Sequence, residues 1–328
     1  MALRPVTLPG VSVADHPVFQ SLAPVFLLIG AGVLAGRRGW VAATAVKDLS
    51  NLVFLLLIPA LLFRTMSQVR LEALDWRPIA AYFSAALPWL LLQMAWRGWH
   101  ARGIVLALGG TFSNLVMIGI ALITLAYGQP GVVTLLTLIA VHALILLTVS
   151  SVALELAEGR TSPGGEPGVR LWRAAWSAVR GSVIHPIPLP IACGLLWGQT
   201  GIALPTVVDK PLHLLGQAFG PLALVLVGIS LAYTPWRAHW RDAVSVTVAK
   251  NLVLPVLVGA SAWLWGVRGL PLAVLVVAAG VPVGANVFLF AQRYRVAQAE
   301  ITAATGLSTA AGVLTLSAWM LVLARITG

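Results

Sequence analysis

Charge is what this chain lacks. Only 9% of its 328 residues are charged, where a soluble domain carries about a quarter. Ten residues in all are acidic, and none of them falls in the middle of an apolar run. Cysteine is nearly absent as well: the single Cys193 excludes a disulfide framework within the chain. No phosphate-cradling glycine loop is present, which argues against an ATP-driven pump. There is no His-Glu-x-x-His and no Cys/His cluster, so no metal and no cofactor is expected. No serine stands beside a convincing base, so an enzyme is not expected. Arg4 followed by Pro5 and Pro9 offers no signal-peptide core, and the N-terminus is expected to be retained.

What the chain has instead is apolar sequence. Hydrophobic residues make up 59% of it, and its mean hydropathy is +0.93. Apolar runs recur from end to end, the pattern of an all-α, multi-pass membrane protein without a soluble domain. The net charge of +11 is spread over short loops rather than gathered on one face. That is the positive-inside pattern, not a nucleic-acid surface; membrane lipid is the expected surrounding.

A crossing needs about 20 apolar residues, and on that measure ten spans are expected. They run roughly over 18–36, 49–66, 78–96, 103–126, 131–156, 184–200, 211–233, 243–265, 270–291 and 300–324. Residues 1–157 would form one five-helix repeat and 183–328 a second. Residues 158–182 would form a cytoplasmic linker, holding Pro163 to Gly168 and a short amphipathic helix over 171–179. Thirteen Lys and Arg residues on one side of this layout against seven on the other place both termini outside the cytoplasm. Five spans per half would make the halves inverted. His16-Pro17 and His185-Pro186 open corresponding spans, and Pro59 and Pro221 interrupt the next pair.

Two spans are broken near the middle, and each break carries one asparagine. The first reads Gly109-Gly110-Thr111-Phe112-Ser113-Asn114 and the second Gly280-Val281-Pro282-Val283-Gly284-Ala285-Asn286. Unwound backbone inside a bilayer is tolerated only where it lines a cavity or is buried in protein. A matched pair of interrupted spans points to a transporter binding site near the midplane. An amide offers both donor and acceptor, and N–H groups at a helix start favour anions. Asn114 and Asn286 are therefore candidate carboxylate ligands, although each would serve equally as a partner for unwound backbone. Gly110, Ser113, Pro282 and Gly284 would shape the breaks.

Lys250 is an intramembrane lysine. A charge at mid-helix costs on the order of 2.5–3.5 kcal/mol to insert, so it needs a partner. Backbone carbonyls at a broken helix, an anionic substrate, or snorkelling toward the interface are the alternatives. Asn51 and Gln217 stand near the proline kinks, as interhelical contacts or as site residues. His142 either relays protons or is a satisfied hydrogen-bonding residue. Tryptophans such as Trp40, Trp96 and Trp240 mark span ends.

Through these residues the chain resembles the auxin efflux carrier family, in its bacterial branch, over nearly its whole length. The similarity runs through Leu49 to Phe54, Ile58-Pro59-Ala60, His185-Pro186, Leu215-Gly216-Gln217-Ala218, Pro221, Lys250 with Pro255, Pro282, Asn286, Ala291, Tyr294 and Leu307-Ser308-Thr309. Ser113, Val116 and Ala121 depart from it. The resemblance implies two inverted five-helix repeats with broken helices four and nine crossing at the site, as in NhaA and the bile-acid carriers. It also implies an elevator-type movement, and an organic acid such as malate or malonate as substrate. The expected function is a secondary carrier that exports an organic carboxylate. The alternatives are a sodium- or proton-coupled organic-anion symporter of bile-acid-carrier type, and a membrane receptor that transports nothing. An apolar face of the chain would suit a second copy of itself, making a homodimer a candidate assembly.

Overall fold

The computed structural model describes residues 17–70, 72, 75–159, 188–233 and 239–327. All of its named elements are helical: α1 (Pro17–Arg37), α2 (Ala45–Leu52), α3 (Ile58–Met66), α4 (Arg77–Arg97), α5 (Ala101–Gly109), α6 (Ile120–Gly159), α7 (Pro188–Gln199), α8 (Thr206–Ala232), α9 (Trp240–Val248), α10 (Leu254–Leu264), α11 (Gly269–Gly280), α12 (Ala285–Tyr294) and α13 (Gln298–Thr327). Three π-helical turns, Val53–Leu57, Leu115–Gly119 and Ala249–Val253, lie between them.

The ten-span layout of two inverted repeats with broken helices four and nine is corrected by these lengths. Among the described residues, 6 helices are long and apolar enough to cross a membrane: Ala45–Met66, Arg77–Arg97, Leu115–Ala157, Thr206–Ala232, Trp240–Leu264 and Gln298–Ile326. Ala23–Arg37, Leu189–Gln199 and Gly269–Gly280 are apolar but shorter. The expected fourth span begins with a nine-residue helix, α5. Its second part runs on into the fifth as one 43-residue stretch, kinked at Gly128 (φ 62, ψ −160). The expected ninth span is two helices of 12 and 10 residues. The physical reason is visible in α11. Every residue from Leu272 to Gly280 is buried, so its apolar character serves packing inside protein rather than contact with lipid. Residues 160–182 of the expected linker, with the helix over 171–179, lie outside the described residues, as do His16, His185 and Pro186.

Small residues set how closely the helices approach. A Cβ on Gly32 of α1 would stand 2.0 Å from the Val225 carbonyl oxygen of α8, and one on Gly228 2.0 Å from that of Ile29. Nothing larger than glycine fits where α1 crosses α8. Gly194 and Gly198 do the same for α7, facing the carbonyls of Phe63 and Val69 at 2.6 and 2.5 Å from a built Cβ. Two of the π-helical turns directly precede prolines at the second helical position, Pro59 in α3 and Pro255 in α10. Proline lacks the N–H that would bond four residues back. The carbonyl of Asn251, four residues before Pro255, instead accepts the Trp319 indole N–H at 2.8 Å.

The helices pack most densely in two sets. α1, α3, α7 and α8 form one; α4, α5 and α9 to α13 form the other, and α6 touches both.

Candidate functional site

α5 stops at Gly109 because residues 110–114 leave the helix. Phe112 N–H still donates to the Leu108 carbonyl (2.8 Å), but the next amides turn away. Asn114 N–H donates to the Pro282 carbonyl at 2.8 Å, and Gly284 N–H donates to the Phe112 carbonyl at 3.0 Å. The two segments thus pair antiparallel, with Ser113 opposite Val283. Backbone groups that helices would have satisfied internally find each other across the molecule. Gly284 permits the approach, since a Cβ there would lie 2.7 Å from Phe112 Cδ1. Pro282 packs against Gly312, whose built Cβ would be 3.0 Å from its Cγ.

Both asparagines follow this crossing directly. Asn114 caps the Leu115–Gly119 turn, its Oδ1 accepting the Met117 N–H at 3.3 Å. Asn286 lies in the first turn of α12, whose N-cap is Gly284. Two helix starts, with their unpaired N–H groups, therefore emerge from one paired segment. Both asparagines are half-buried. Among the described residues neither Asn114 Nδ2 nor the Asn286 amide has a hydrogen-bond partner.

Polar side chains brace the crossing from behind. Gln93 of α4 donates to Thr111 Oγ1 at 3.0 Å, and its Oε1 lies over Gly110, 2.1 Å from where a Cβ would be. Val283 N–H donates to Ser308 Oγ at 3.1 Å, and Asn251 Nδ2 donates to the Ser308 carbonyl at 2.9 Å. Lys250 is 0% exposed, which removes the snorkelling alternative. Its Nζ donates to the Ala279 carbonyl at the C-terminal end of α11, where helix carbonyls lack intrahelical partners and the dipole favours a cation. The π-helical turn at Ala249–Val253 presents Lys250 and Asn251 together; such turns often occur at functional positions.

Gly110, Ser113, Asn114, Pro282, Gly284 and Asn286 thus come together, with Lys250 one shell behind. Asn51 and Gln217 do not join them: both are exposed, on α2 and α8. Sequence reading missed Gln93, Thr111 and Asn251. Gln93 is a lone polar residue inside an apolar stretch, and Thr111 and Asn251 stand beside Ser113-Asn114 and Lys250; those positions were the available signal. Away from the crossing, His239, Asp242 and Glu300 bring metal-type ligand atoms within 4.8 Å of one another. Arg102 already bridges the two carboxylates, at 2.7 Å to Asp242 and 3.2 Å to Glu300. Its guanidinium supplies the cation that cluster calls for. A cavity of about 370 Å³ lined by Ser67, Arg70, Gly198, Leu204 and Asp209 contains no residue of the crossing.

A multi-span bundle whose centre is a buried, paired backbone crossing is the framework of a membrane transporter. The sequence profile of the membrane transport protein family matches residues 17–320. The chain belongs to this family, that of the auxin efflux carriers, and is not an enzyme. A protein of Rhizobium meliloti (strain 1021) that bears the provisional name of malonate transporter is 25% identical over 302 residues, covering 90% of this chain and 92% of its own length.

Proposed function

We propose that this transporter carries a small organic carboxylate outward across the bacterial inner membrane, with the crossing as its binding site. The observation that carries this reading is the pair of helix starts, each bearing a half-buried asparagine, that leave one antiparallel segment. Asn114 Nδ2, the Asn286 amide and the free N–H groups of α12 would hold the carboxylate oxygens. Lys250 would add positive potential from behind. Ser113, Gly110, Pro282 and Gly284 would keep the two segments close. Asn51 on α2 and Gln217 on α8 would meet the solute during passage.

Scarcity of buried acid supports an anionic solute: among the described residues the buried polar and charged ones include Lys250 and His142 but no Asp or Glu. Dense packing within two helix sets and sparser packing between them supports an elevator-type slide of one set along the other. Export accords with the membrane potential, which favours outward movement of an anion by about 2.3 kcal/mol per charge per 100 mV. The Rhizobium relative's name makes malonate the first solute to try.

Counterflow of labelled malonate, and of a panel of monocarboxylates and indole acids, in proteoliposomes tests the reading. Joint replacement Asn114→Ala and Asn286→Ala should reduce exchange at least tenfold. Full exchange by the double variant would remove both residues from the site.

A further inference from the structure

Beside the crossing lies a titratable group that carboxylate binding does not use. His142 of α6 is 2% exposed. Its Nε2 stands 3.4 Å from the Tyr82 hydroxyl of α4, and that hydroxyl stands 3.5 Å from Ser113 Oγ within the crossing. Tyr82 and Ser113 are buried as well, at 0% and 2%. Three hydroxyl and imidazole groups from three elements therefore form a chain that begins at the crossing and ends on His142. The distances are at the outer edge of hydrogen bonding, a separation that catalytic contacts often show before a ligand tightens them.

Aromatic rings also pack on His142. The Phe112 ring packs edge-on at 4.6 Å between centroids, and Phe83 lies at 6.5 Å. Lys250 is the charged group that acts on it. α7 and α11 carry no ionisable charge against α6. Arg37, Arg64, Arg102, Asp209 and Lys210, on the other helices packed there, all stand within five residues of a helix end, and His213, eight residues into α8, is exposed. So do Arg77 and Arg97 of α4, and Glu155 and Glu158 of α6 itself. A second cation next to Lys250 thus has no protein carboxylate to balance it, and burying an unpaired charge is costly.

We infer that His142 is the proton site of the transport cycle, taking up one proton when a carboxylate occupies the crossing. The proposal rests on the carboxylate reading above. The bound anion supplies the missing countercharge. A proton arriving with it reaches Ser113 Oγ; the Ser113 proton passes to Tyr82 Oη, and the Tyr82 proton to His142 Nε2. Each hydroxyl gains one proton and gives one up, so only the imidazole changes charge. When the anion leaves, the proton leaves by the reverse path.

The test uses the full chain in proteoliposomes with a trapped pH dye, and labelled malonate as probe. Wild type should move malonate and shift the internal pH in the same event. His142→Gln, which keeps a polar atom facing Tyr82, should still exchange malonate while the pH signal falls at least fivefold. Tyr82→Phe should slow the pH signal more than exchange. Malonate movement without a pH change in wild type, or an undiminished pH signal in His142→Gln, would overturn the proposal and leave the carboxylate reading standing. Absence of exchange for malonate and for the whole carboxylate panel would overturn both. Thermal unfolding of each variant in detergent shows whether it has folded; should His142→Gln not fold, the Tyr82→Phe comparison decides.

Discussion

Replacing Gly284 by alanine is the sharpest perturbation of the crossing. Its backbone (φ −76, ψ 142) suits alanine, so no torsional strain enters; the whole effect is contact. The added Cβ would lie 2.7 Å from Phe112 Cδ1 and 2.9 Å from the Ser113 carbonyl oxygen, where ordinary contact begins near about 3.5 Å. Relief requires the two segments to part by roughly half to one ångström. The Gly284 N–H to Phe112 carbonyl bond, 3.0 Å long, then reaches the edge of hydrogen bonding. Overpacking costs about 1–3 kcal/mol and a weakened buried hydrogen bond about 1 more. The total is a fall in unfolding temperature on the order of 5 °C. Malonate counterflow should drop at least tenfold, because Asn114 and Asn286 ride on the displaced segments. Gly119→Ala is the control: a Cβ there meets its nearest neighbour at 3.5 Å, so exchange should be unchanged and the unfolding temperature should not fall. If Gly284→Ala melts and exchanges like wild type, the two segments are not in tight contact.

Other perturbations separate packing from charge. Lys250→Met removes a buried cation at little change of volume and leaves the Ala279 carbonyl without its donor, so a loss of about 1–3 kcal/mol is offset by the relieved burial of charge while stabilisation by added malonate disappears; undiminished stabilisation by malonate would assign Lys250 to packing. Gly228→Ala, whose Cβ would lie 2.0 Å from the Ile29 carbonyl oxygen, should force α1 from α8 and lower the unfolding temperature. Gly30→Ala on the same α1 meets nothing within 4 Å and should instead stabilise by about 0.4–1 kcal/mol; thermal shifts of the same sign for both would contradict the close crossing. Arg102→Ala removes a bridge between side chains 28% and 13% exposed, Asp242 and Glu300, from an arginine that is itself 47% exposed. The loss should stay near about 1 kcal/mol, and it should shrink in high salt if the contact is chiefly electrostatic.

Composition alone determined the class of this protein, because low charge and repeated apolar runs are compatible only with a membrane interior. The glycines, the proline and the two asparagines marked where the helices stop, since those residue types act on the backbone locally. Number and length of spans were decided elsewhere. Hydropathy cannot distinguish a helix wrapped by lipid from one wrapped by protein, so buried α11 and α5 read as parts of spans. A single glycine, Gly128, kinks one long run that hydropathy divides in two. Which groups meet was also beyond reach of the sequence. Ser113 opposes Val283, Gln93 reaches Thr111, and His142 faces Tyr82 across separations of 170, 18 and 60 residues. Only three-dimensional packing sets such distances, because the orphaned backbone of one segment is satisfied by the other.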